Sequence, residues 1–297
     1  MAKIIVAGGT GLLGTALVGA LQDDRHMVVV LTRRPTRDNE VRWSPQYAEG
    51  LWTAALDNAH AVINLAGASI AGSRWTTARK AAIRDSRMQA TAALVKAIAA
   101  SGQPPPIFIS SSAVGYYGSR GDEPVTETTA PGSDFLAHVC RDWEAAASQL
   151  SPAARVVLLR SGVVLARHGG ALPQMALPFK LFAGGPAGSG RQFMSWIHLH
   201  DWVATVKWAL ASQHIAGPLN VTAPEPVTNE DFSRSLGRVL GRPAWLEAPS
   251  FALRLMLGEM ADALILGGQR VLPAVAQQHG FAFQYPTLES ALRQIYP

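Results

Sequence analysis

The first fourteen residues constrain the fold more than any other stretch of the chain. They read MAKIIVAGGTGLLG, a short apolar run followed by glycines at every third position, Gly8, Gly11 and Gly14. The apolar run is typical of a strand buried on both faces, and the apolar residues 12–21 predict a helix. A strand, a glycine turn and a helix in this order predict a site for a dinucleotide.

Each glycine of such a turn has its own role. One permits the tight turn, one lets the backbone approach the pyrophosphate, and one lets the helix pack closely on the strand. The pyrophosphate then meets free N–H groups at the positive end of the helix dipole. Glycines also make ordinary turns, so the flanking strand and helix carry this prediction.

The end of the second predicted strand indicates which dinucleotide is preferred. An acidic residue about 20 positions past the glycines would bind the ribose 2′-hydroxyl of NAD. This chain instead has Arg33 nineteen residues past Gly14, followed by Arg34, and no carboxylate before Asp38. Because a guanidinium pairs well with a phosphate, the sequence predicts NADP. The alternative is an ordinary solvated basic loop over residues 33–42.

Composition limits the partners and the compartment. The 297 residues carry a net charge of +5, but the basic residues are scattered, so no nucleic-acid partner is expected. The single cysteine, Cys140, excludes an internal disulfide and fits a reducing compartment. A strand begins close to Met1, and no apolar run reaches the roughly 18 residues of a membrane span. We therefore expect a cytoplasmic protein without a signal peptide or membrane segment.

Short apolar strands alternate with alanine-rich helical stretches up to residue 165, whereas residues 166–297 are less regular. This alternation predicts an α/β fold, a Rossmann-type doubly wound parallel sheet, with a smaller C-terminal α/β lobe interleaved at the boundary. The predicted strands span residues 4–6, 27–31, 61–67, 107–112, 154–159, 195–200 and 219–222. The predicted helices span residues 12–21, 76–100, 133–150, 202–211, 229–240, 250–266 and 287–295. Asp201 is the predicted N-cap of the fourth helix, and Thr228 begins a weak capping box with Asp231.

Three segments in this order resemble the extended short-chain dehydrogenase/reductase superfamily, which includes the nucleotide-sugar epimerases. They are GGTGLLG at residues 8–14, NLAG at 64–67 and SSSAVGYYG at 110–118. More narrowly, CRDWE at 140–144 and RSGVVL at 160–165 are similar to atypical NAD-dependent epimerase-family proteins of unknown substrate. The resemblance covers nearly the whole chain.

The resemblance implies a set of cofactor contacts. Successive segments of the chain would contact successive parts of the cofactor: the pyrophosphate, the adenosine phosphate, the adenine with its ribose, and the nicotinamide ribose. The implied residues are Gly8, Thr10, Gly11, Leu12, Leu13, Gly14, Arg33, Arg34, Asn64, Leu65, Ala66, Gly67, Arg87, Ser110 and Ser111. For Arg87 the alternative is that it only caps neighbouring loops.

The catalytic residues implied by the resemblance are incomplete. Members of the superfamily use a Ser or Thr with a Tyr-x-x-x-Lys pair, in which the tyrosine exchanges a proton with the substrate oxygen. Ser112 matches the serine, but spacing back from Glu144 puts Leu136 at the tyrosine and Cys140 at the lysine. The expected proton-transfer pair is therefore absent.

Three replacements for the missing acid remain open. Tyr116 or Tyr117 follows Ser112 closely, His198 titrates near neutral pH, and Cys140 is a reactive type of side chain. The corresponding structural alternatives are loop packing, a capped histidine and a core cysteine. Ser112, Tyr116 and His198 are the candidate catalytic residues. A metal site is not expected, because the sequence offers no third ligand to accompany His198 and His200.

The predicted function follows from the cofactor prediction and the altered catalytic residues. It is an NADP-dependent oxidoreductase or epimerase that acts on a small polar or nucleotide-linked carbonyl or alcohol, as a monomer or homodimer. The resemblance implies that Arg160, Arg191, Trp196 and His198 lie around the C-terminal lobe, where they could hold a flat or anionic substrate. For Arg191 the alternative is an ordinary exposed surface position. The alternative is a non-catalytic NADP-binding regulatory or scaffold protein, for example in cell division.

Overall fold

A computed structural model describes residues 1–297 as strands and helices that alternate along the chain. Its first strands are β1 (Lys3–Ala7), β2 (Met27–Thr32), β3 (Glu40–Arg42), β4 (Ala61–Asn64), β5 (Ile107–Ala113) and β6 (Pro124–Val125). The helices among them are α1 (Leu12–Asp23), α2 (Thr77–Ala100) and α3 (Phe135–Ser148). Short 3₁₀ turns occupy Leu51–Ala55 and Val114–Tyr117.

The second part of the chain has more and shorter elements. Its strands are β7 (Arg155–Ser161), β8 (Val163–Leu165), β9 (Phe193–Met194), β10 (Trp196–His198), β11 (Gly217–Val221), β12 (Val227–Thr228) and β13 (Arg270–Val271). Its helices are α4 (Leu172–Lys180), α5 (Leu199–Ala211), α6 (Asn229–Leu240), α7 (Ser250–Leu257), α8 (Glu259–Ala261), α9 (Ala274–Gln278) and α10 (Leu288–Ile295).

Seven strands form one parallel sheet in the order β3-β2-β1-β4-β5-β7-β11. The chain runs outward from β1 to one edge, returns, and then continues to the other edge, which is the doubly wound arrangement. The predicted Rossmann-type fold is therefore confirmed. Because all strands are parallel, their carboxyl ends meet at one edge of the sheet, where open α/β sheets bind ligands.

The sheet is buried on both faces, as its apolar strands predict. In β1, Ile4 and Val6 pack into a cluster with α1 and α5, whereas Ile5 and Ala7 pack into a second cluster with α2. Burial of each large aliphatic side chain contributes about 1.5–3 kcal/mol relative to exposure. The alternation of side chains along β1 therefore attaches helices to both faces of the sheet.

The two parts of the chain are interleaved. Strand β11 lies beyond residue 165, yet it completes the main sheet beside β7. A third apolar cluster is formed by α4, α6 and α10 and includes Trp196, Phe232 and Leu292. None of the helices is both long and apolar enough to span a bilayer.

Two details of the predicted helices are wrong. Helix α5 begins at Leu199 rather than at residue 202, and its N-cap is His198, whose Nδ1 accepts the N–H of His200. Asp201 is buried and accepts the N–H groups of Gln284 and Tyr285. The predicted helix 250–266 is interrupted at Gly258, whose φ of +64° ends α7.

One predicted helix cap is confirmed, and two short elements were not predicted. Thr228 caps α6 by accepting the N–H of Asp231 at 3.1 Å, as predicted. Strand β3 lies within residues 33–42, for which a solvated basic loop was the alternative interpretation, and α4 was not predicted. Only three residues form β3, and Pro178 lies within α4, so neither segment has a clear periodic pattern.

Candidate functional site

The glycine turn between β1 and α1 is packed too closely for side chains at two positions. Gly8 has a φ of +78°, and a Cβ there would lie 2.8 Å from the Leu65 carbonyl. A Cβ on Gly14 would lie 2.6 Å from Gly9 Cα. Gly8 thus permits the turn against the loop after β4, and Gly14 permits contact of the helix with the turn.

The start of α1 is suited to an anionic ligand. Gly11 is the N-cap and no side chain caps the helix, so the N–H groups of the first turn lack a side-chain acceptor. Gly11 itself has room, because a Cβ there would meet only the Gly8 carbonyl oxygen, at 3.6 Å. A free helix N-terminus at the carboxyl edge of a parallel sheet is a favourable position for phosphate.

Arg33 and Arg34 directly follow β2, next to this turn in the sheet. Both side chains are exposed, and neither guanidinium forms an ion pair with a carboxylate. The Arg34 N–H is bonded to Thr32 Oγ1 at 3.4 Å, which links the loop to the end of the strand. Both cations are therefore available to an external phosphate.

The loop after β4 is ordered by a buried amide. Asn64 Nδ2 donates to Thr91 Oγ1 at 2.9 Å, and Asn64 Oδ1 accepts the Ala66 N–H at 3.2 Å. Asn64 is fully buried, so it shapes the loop from beneath while the backbone of Leu65 and Ala66 lies beside Gly8.

Arg87 lies under the same loop. Its Nη1 donates to the carbonyl oxygens of Ala68 and Ile83, at 3.1 and 2.9 Å, and it lies 5.1 Å from the Trp143 ring. Burial lowers the pKa of Arg87, and no carboxylate pairs with it. Arg87 therefore caps the loop, as its alternative role predicts. The other N–H groups of its guanidinium are left for a ligand.

The three serines at the end of β5 have different surroundings. Ser110 is fully buried, with only a long 3.5 Å contact to the Ser111 carbonyl, and Ser111 is half-buried. Ser112 is 4% exposed and donates its hydroxyl hydrogen to Glu144 Oε1 at 2.6 Å. This short distance is typical of a hydroxyl bonded to an ionised carboxylate.

Glu144 and Arg160 form a buried ion pair behind Ser112. Arg160 Nε and Nη2 donate to the two Glu144 oxygens at 2.8 and 2.7 Å. Burial disfavours the charged guanidinium, but the hydrogen bonds to Glu144 outweigh this effect and raise the pKa of Arg160. Arg160 Nη1 also donates to Tyr117 Oη and to the Glu127 carbonyl oxygen, at 2.9 and 3.0 Å.

The two adjacent tyrosines differ in their contacts. Tyr117 is fully buried and donates to Asn220 Oδ1 at 2.6 Å, and burial raises its pKa to about 12. Tyr116 is half-buried, and its ring centroid lies 3.5 Å from Arg160 Cζ, a cation–π contact. No protein group bonds the Tyr116 hydroxyl, so of the two only Tyr116 has a free phenol.

The expected tyrosine and lysine positions are apolar. Leu136 packs against Gly115 and lines a cavity of about 200 Å³ between α3 and the segment that follows α7. Burial, followed by the nearby charge of Glu144, raises the pKa of Cys140 to about 12, so this thiol stays protonated. The cavity is lined by Trp75, Asp134, Phe135, Leu136, Glu259, Asp262 and Ala263.

His198 is held by the protein at both ring nitrogens. Nδ1 accepts the His200 N–H at 3.1 Å, and Nε2 is 2.9 Å from Gln294 Oε1, which requires Nε2 to carry the hydrogen. Burial lowers the pKa of this imidazole, so the neutral form is favoured. These contacts give His198 the role of a helix cap, in agreement with its structural alternative.

The side chains expected around a substrate are not brought together as a set. Arg160 is occupied by Glu144, and Trp196 is fully buried with its Nε1 donating to the Glu225 carbonyl oxygen at 3.0 Å. Arg191 is exposed. No group of three or more His, Cys, Asp or Glu residues is arranged to hold a metal ion.

Sequence reasoning missed the partners of Ser112. The sequence patterns predict no role for Glu144 and predict a substrate contact for Arg160. The signal that could have found them is that buried charged groups are rarely left unpaired. It is weak here, because α3 also carries Arg141 and Asp142 and β7 also carries Arg155, so neither charge is alone in its element.

The sheet order and the glycine turn define a Rossmann-type α/β protein, and comparison with known proteins identifies the family. Residues 4–221 match the NAD dependent epimerase/dehydratase family, and residues 248–295 match a domain of unknown function, DUF1731. The chain belongs to the NAD dependent epimerase/dehydratase family.

Individual relatives agree with this assignment. An epimerase family protein of Mycobacterium leprae is 42% identical over 293 residues, which cover 98% of this chain and 94% of that protein. The crystal structure of human epimerase family protein SDR39U1 with NADPH has a TM-score of 0.92 and 35% identity, and the match covers 99% of each chain. A UDP-N-acetylglucosamine 4-epimerase from Bacillus cereus shares the fold, with a TM-score of 0.78 at 18% identity over 100% of this chain and 98% of that one.

The close packing at the turn predicts opposite effects for two glycine substitutions in α1. Gly14→Ala places a methyl group against backbone that cannot rotate away, and we expect a loss of about 1–3 kcal/mol of unfolding free energy. Gly19→Ala is the control, because nothing lies within 4 Å, and we expect a gain of up to about 1 kcal/mol. Urea unfolding measures both, and equal effects would contradict the assigned role of Gly14.

The buried imidazole predicts an acid-dependent loss of stability. The pKa of His198 is lower in the folded protein than its ordinary value of 6.5, so the unfolded chain binds more protons as the pH falls below 6.5. Stability is therefore fully present above this pH and decreases below it. His198→Asn, which keeps a cap that does not titrate, should lose less unfolding free energy between pH 7.5 and 5 than the wild type. The exposed His168→Asn is the control and should follow the wild type.

Proposed function

We propose that the chain binds NADP at the glycine turn. The residues present fit this group, because the turn has no room for side chains at Gly8 and Gly14, the helix start is uncapped, and Arg33 and Arg34 are unpaired. The NADPH in the structure of the human relative supports the same choice. Thr10–Leu13, residues 64–67, Arg87, Ser110 and Ser111 complete the proposed set of cofactor contacts.

The preference for NADP over NAD is tested by calorimetry on the wild type and Arg33→Ala. We expect the variant to bind NADP about 10- to 100-fold more weakly, because charge-assisted hydrogen bonds to the 2′-phosphate are lost, and to bind NAD unchanged. Arg141→Ala, which removes a surface arginine next to Asp142, is the control. Equal affinity of the wild type for NAD and NADP would show the proposed preference to be wrong.

We further propose that the protein is an oxidoreductase or epimerase-like enzyme acting on a small polar or nucleotide-linked alcohol or carbonyl. The bound cofactor would supply hydride acceptance or donation at its nicotinamide ring. Ser112 would contact the substrate oxygen, and Tyr116 would exchange its proton. The observation that carries this proposal is that Ser112 and Tyr116 both contact the buried Glu144–Arg160 pair. Ser112 is hydrogen-bonded to Glu144, and the ring of Tyr116, whose hydroxyl is free, lies on Arg160.

A specific observation favours a second candidate. Leu136 and Cys140 occupy the positions of the expected tyrosine and lysine, and neither exchanges protons near neutral pH. This favours a regulatory or scaffold protein that binds NADP with little turnover. In both cases we propose a cytoplasmic location, because Cys140 is the single cysteine of the chain. An Arabidopsis thaliana relative is described as chloroplastic.

The two candidates are separated by following NADPH oxidation with a panel of carbonyl compounds, and NADP⁺ reduction with a panel of alcohols and sugar nucleotides, including UDP-glucose. If the protein is an enzyme, Ser112→Ala and Tyr116→Phe should each lower kcat/KM about 100-fold or more, since each removes a contact to the reacting oxygen. Tyr47→Phe, at an exposed tyrosine, is the control. Tight NADPH binding without turnover of any compound would favour the regulatory candidate.

A further inference from the structure

The hydrogen bonds around Ser112 fix the direction in which its hydroxyl points. A serine hydroxyl has one hydrogen, and Ser112 gives it to Glu144 Oε1 at 2.6 Å. Ser112 is buried apart from 4% of its surface, at the carboxyl end of β5 where such sheets bind ligands. The oxygen of Ser112 therefore has only lone pairs to offer, and the protonated Cys140 thiol lies close to the same oxygen.

Glu144 cannot release this hydrogen by turning away. Both of its oxygens are held by Arg160, at 2.8 and 2.7 Å, and the carboxylate has no hydrogen of its own to offer. Glu144 is 7% exposed, so water does not replace Ser112 as its partner. An unpaired position on a buried carboxylate is costly, which keeps the Ser112 hydrogen in place.

Arg160 is itself held from all sides. Its Nη1 donates to Tyr117 Oη and to the Glu127 carbonyl oxygen, and the ring of Tyr116 covers its face at 3.5 Å. Four of its five N–H groups are therefore used, and the ion pair has a single arrangement.

We propose that the Glu144–Arg160 pair makes Ser112 Oγ a hydrogen-bond acceptor, so that this site selects ligands that present a hydroxyl hydrogen there and disfavours ketones. A carbonyl oxygen can only accept, and opposite Ser112 it meets lone pairs. An alcohol can donate to the same oxygen. Glu144 and Arg160 are positioning residues, because they act through Ser112. This inference rests on the proposed function and adds that the favoured substrate form is the alcohol.

The test uses two probes of one ring size that cannot react in the presence of NADP⁺. 1-Methylcyclohexanol has no hydrogen on its hydroxyl-bearing carbon, and cyclohexanone is already oxidised, so neither can give hydride to NADP⁺. Calorimetry with the full chain, with and without saturating NADP⁺, gives both dissociation constants. We expect the wild type to bind the alcohol about tenfold more tightly than the ketone, the effect of one hydrogen bond.

Three variants identify the source of the preference. Ser112→Ala should bring the ratio of the two dissociation constants to about one. Glu144→Ala removes the acceptor and frees the Ser112 hydrogen, so the ratio should move towards the ketone. Ser148→Ala removes a hydroxyl that bonds the Glu144 main-chain carbonyl on the same helix, and it should keep the wild-type ratio. If Glu144→Ala does not fold, Ser112→Ala still decides the result.

The possible results separate this inference from the proposed function. Binding of the ketone as tightly as the alcohol, binding of neither, or a preference that survives in Ser112→Ala would overturn the inference. An alcohol preference in a protein that turns over no compound would support the inference and contradict the proposed enzyme. A separate calorimetric titration with NADP⁺ alone measures cofactor binding.

Discussion

The buried Glu144–Arg160 ion pair is the interaction on which the arrangement of the candidate site depends. It joins α3 to β7 and, through Ser112 and Tyr117, connects β5 and β11 to the same cluster. Removing two charges from water costs several kcal/mol, and the attraction between them offsets this only when the remaining hydrogen bonds are also made. Here they are made, since both carboxylate oxygens and four guanidinium N–H groups have partners. Such a pair adds little net stability, but it permits one geometry only.

The nucleotide end of the site could be predicted from the sequence because one short stretch encodes it. Gly8 and Gly14 are required by contacts with Leu65 and Gly9, and the strand and helix that make these contacts flank the turn in the chain. The catalytic end could not be predicted in the same way. Glu144 and Arg160 are 16 residues apart, on elements whose relative position is set by the whole sheet. Local patterns show neither that these two charged groups are buried nor which partner each of them meets, because both elements carry other charged residues.

The errors in the sequence-based prediction have the same physical origin. Asp201 is a good N-cap residue before a helical stretch, yet its carboxylate accepts the N–H groups of Gln284 and Tyr285, which lie more than 80 residues further along the chain. With Asp201 occupied, His198 caps the helix instead. Long-range hydrogen bonds to a buried carboxylate outweigh a local preference, because unpaired buried N–H groups are costly.

The C-terminal segment is a structural part of the site, although it follows the main sheet in the chain. Asn220 accepts the Tyr117 hydroxyl and donates from its Nδ2 to the Leu272 carbonyl oxygen at 2.9 Å. Glu127 Oε1 accepts the N–H groups of Asn220 and Val275, at 3.1 and 3.2 Å. The chain around β13 and α9 therefore fixes Asn220, which orients Tyr117 beneath Arg160. The region that matches a domain of unknown function thus acts on the site through the same network that sets the direction of the Ser112 hydroxyl.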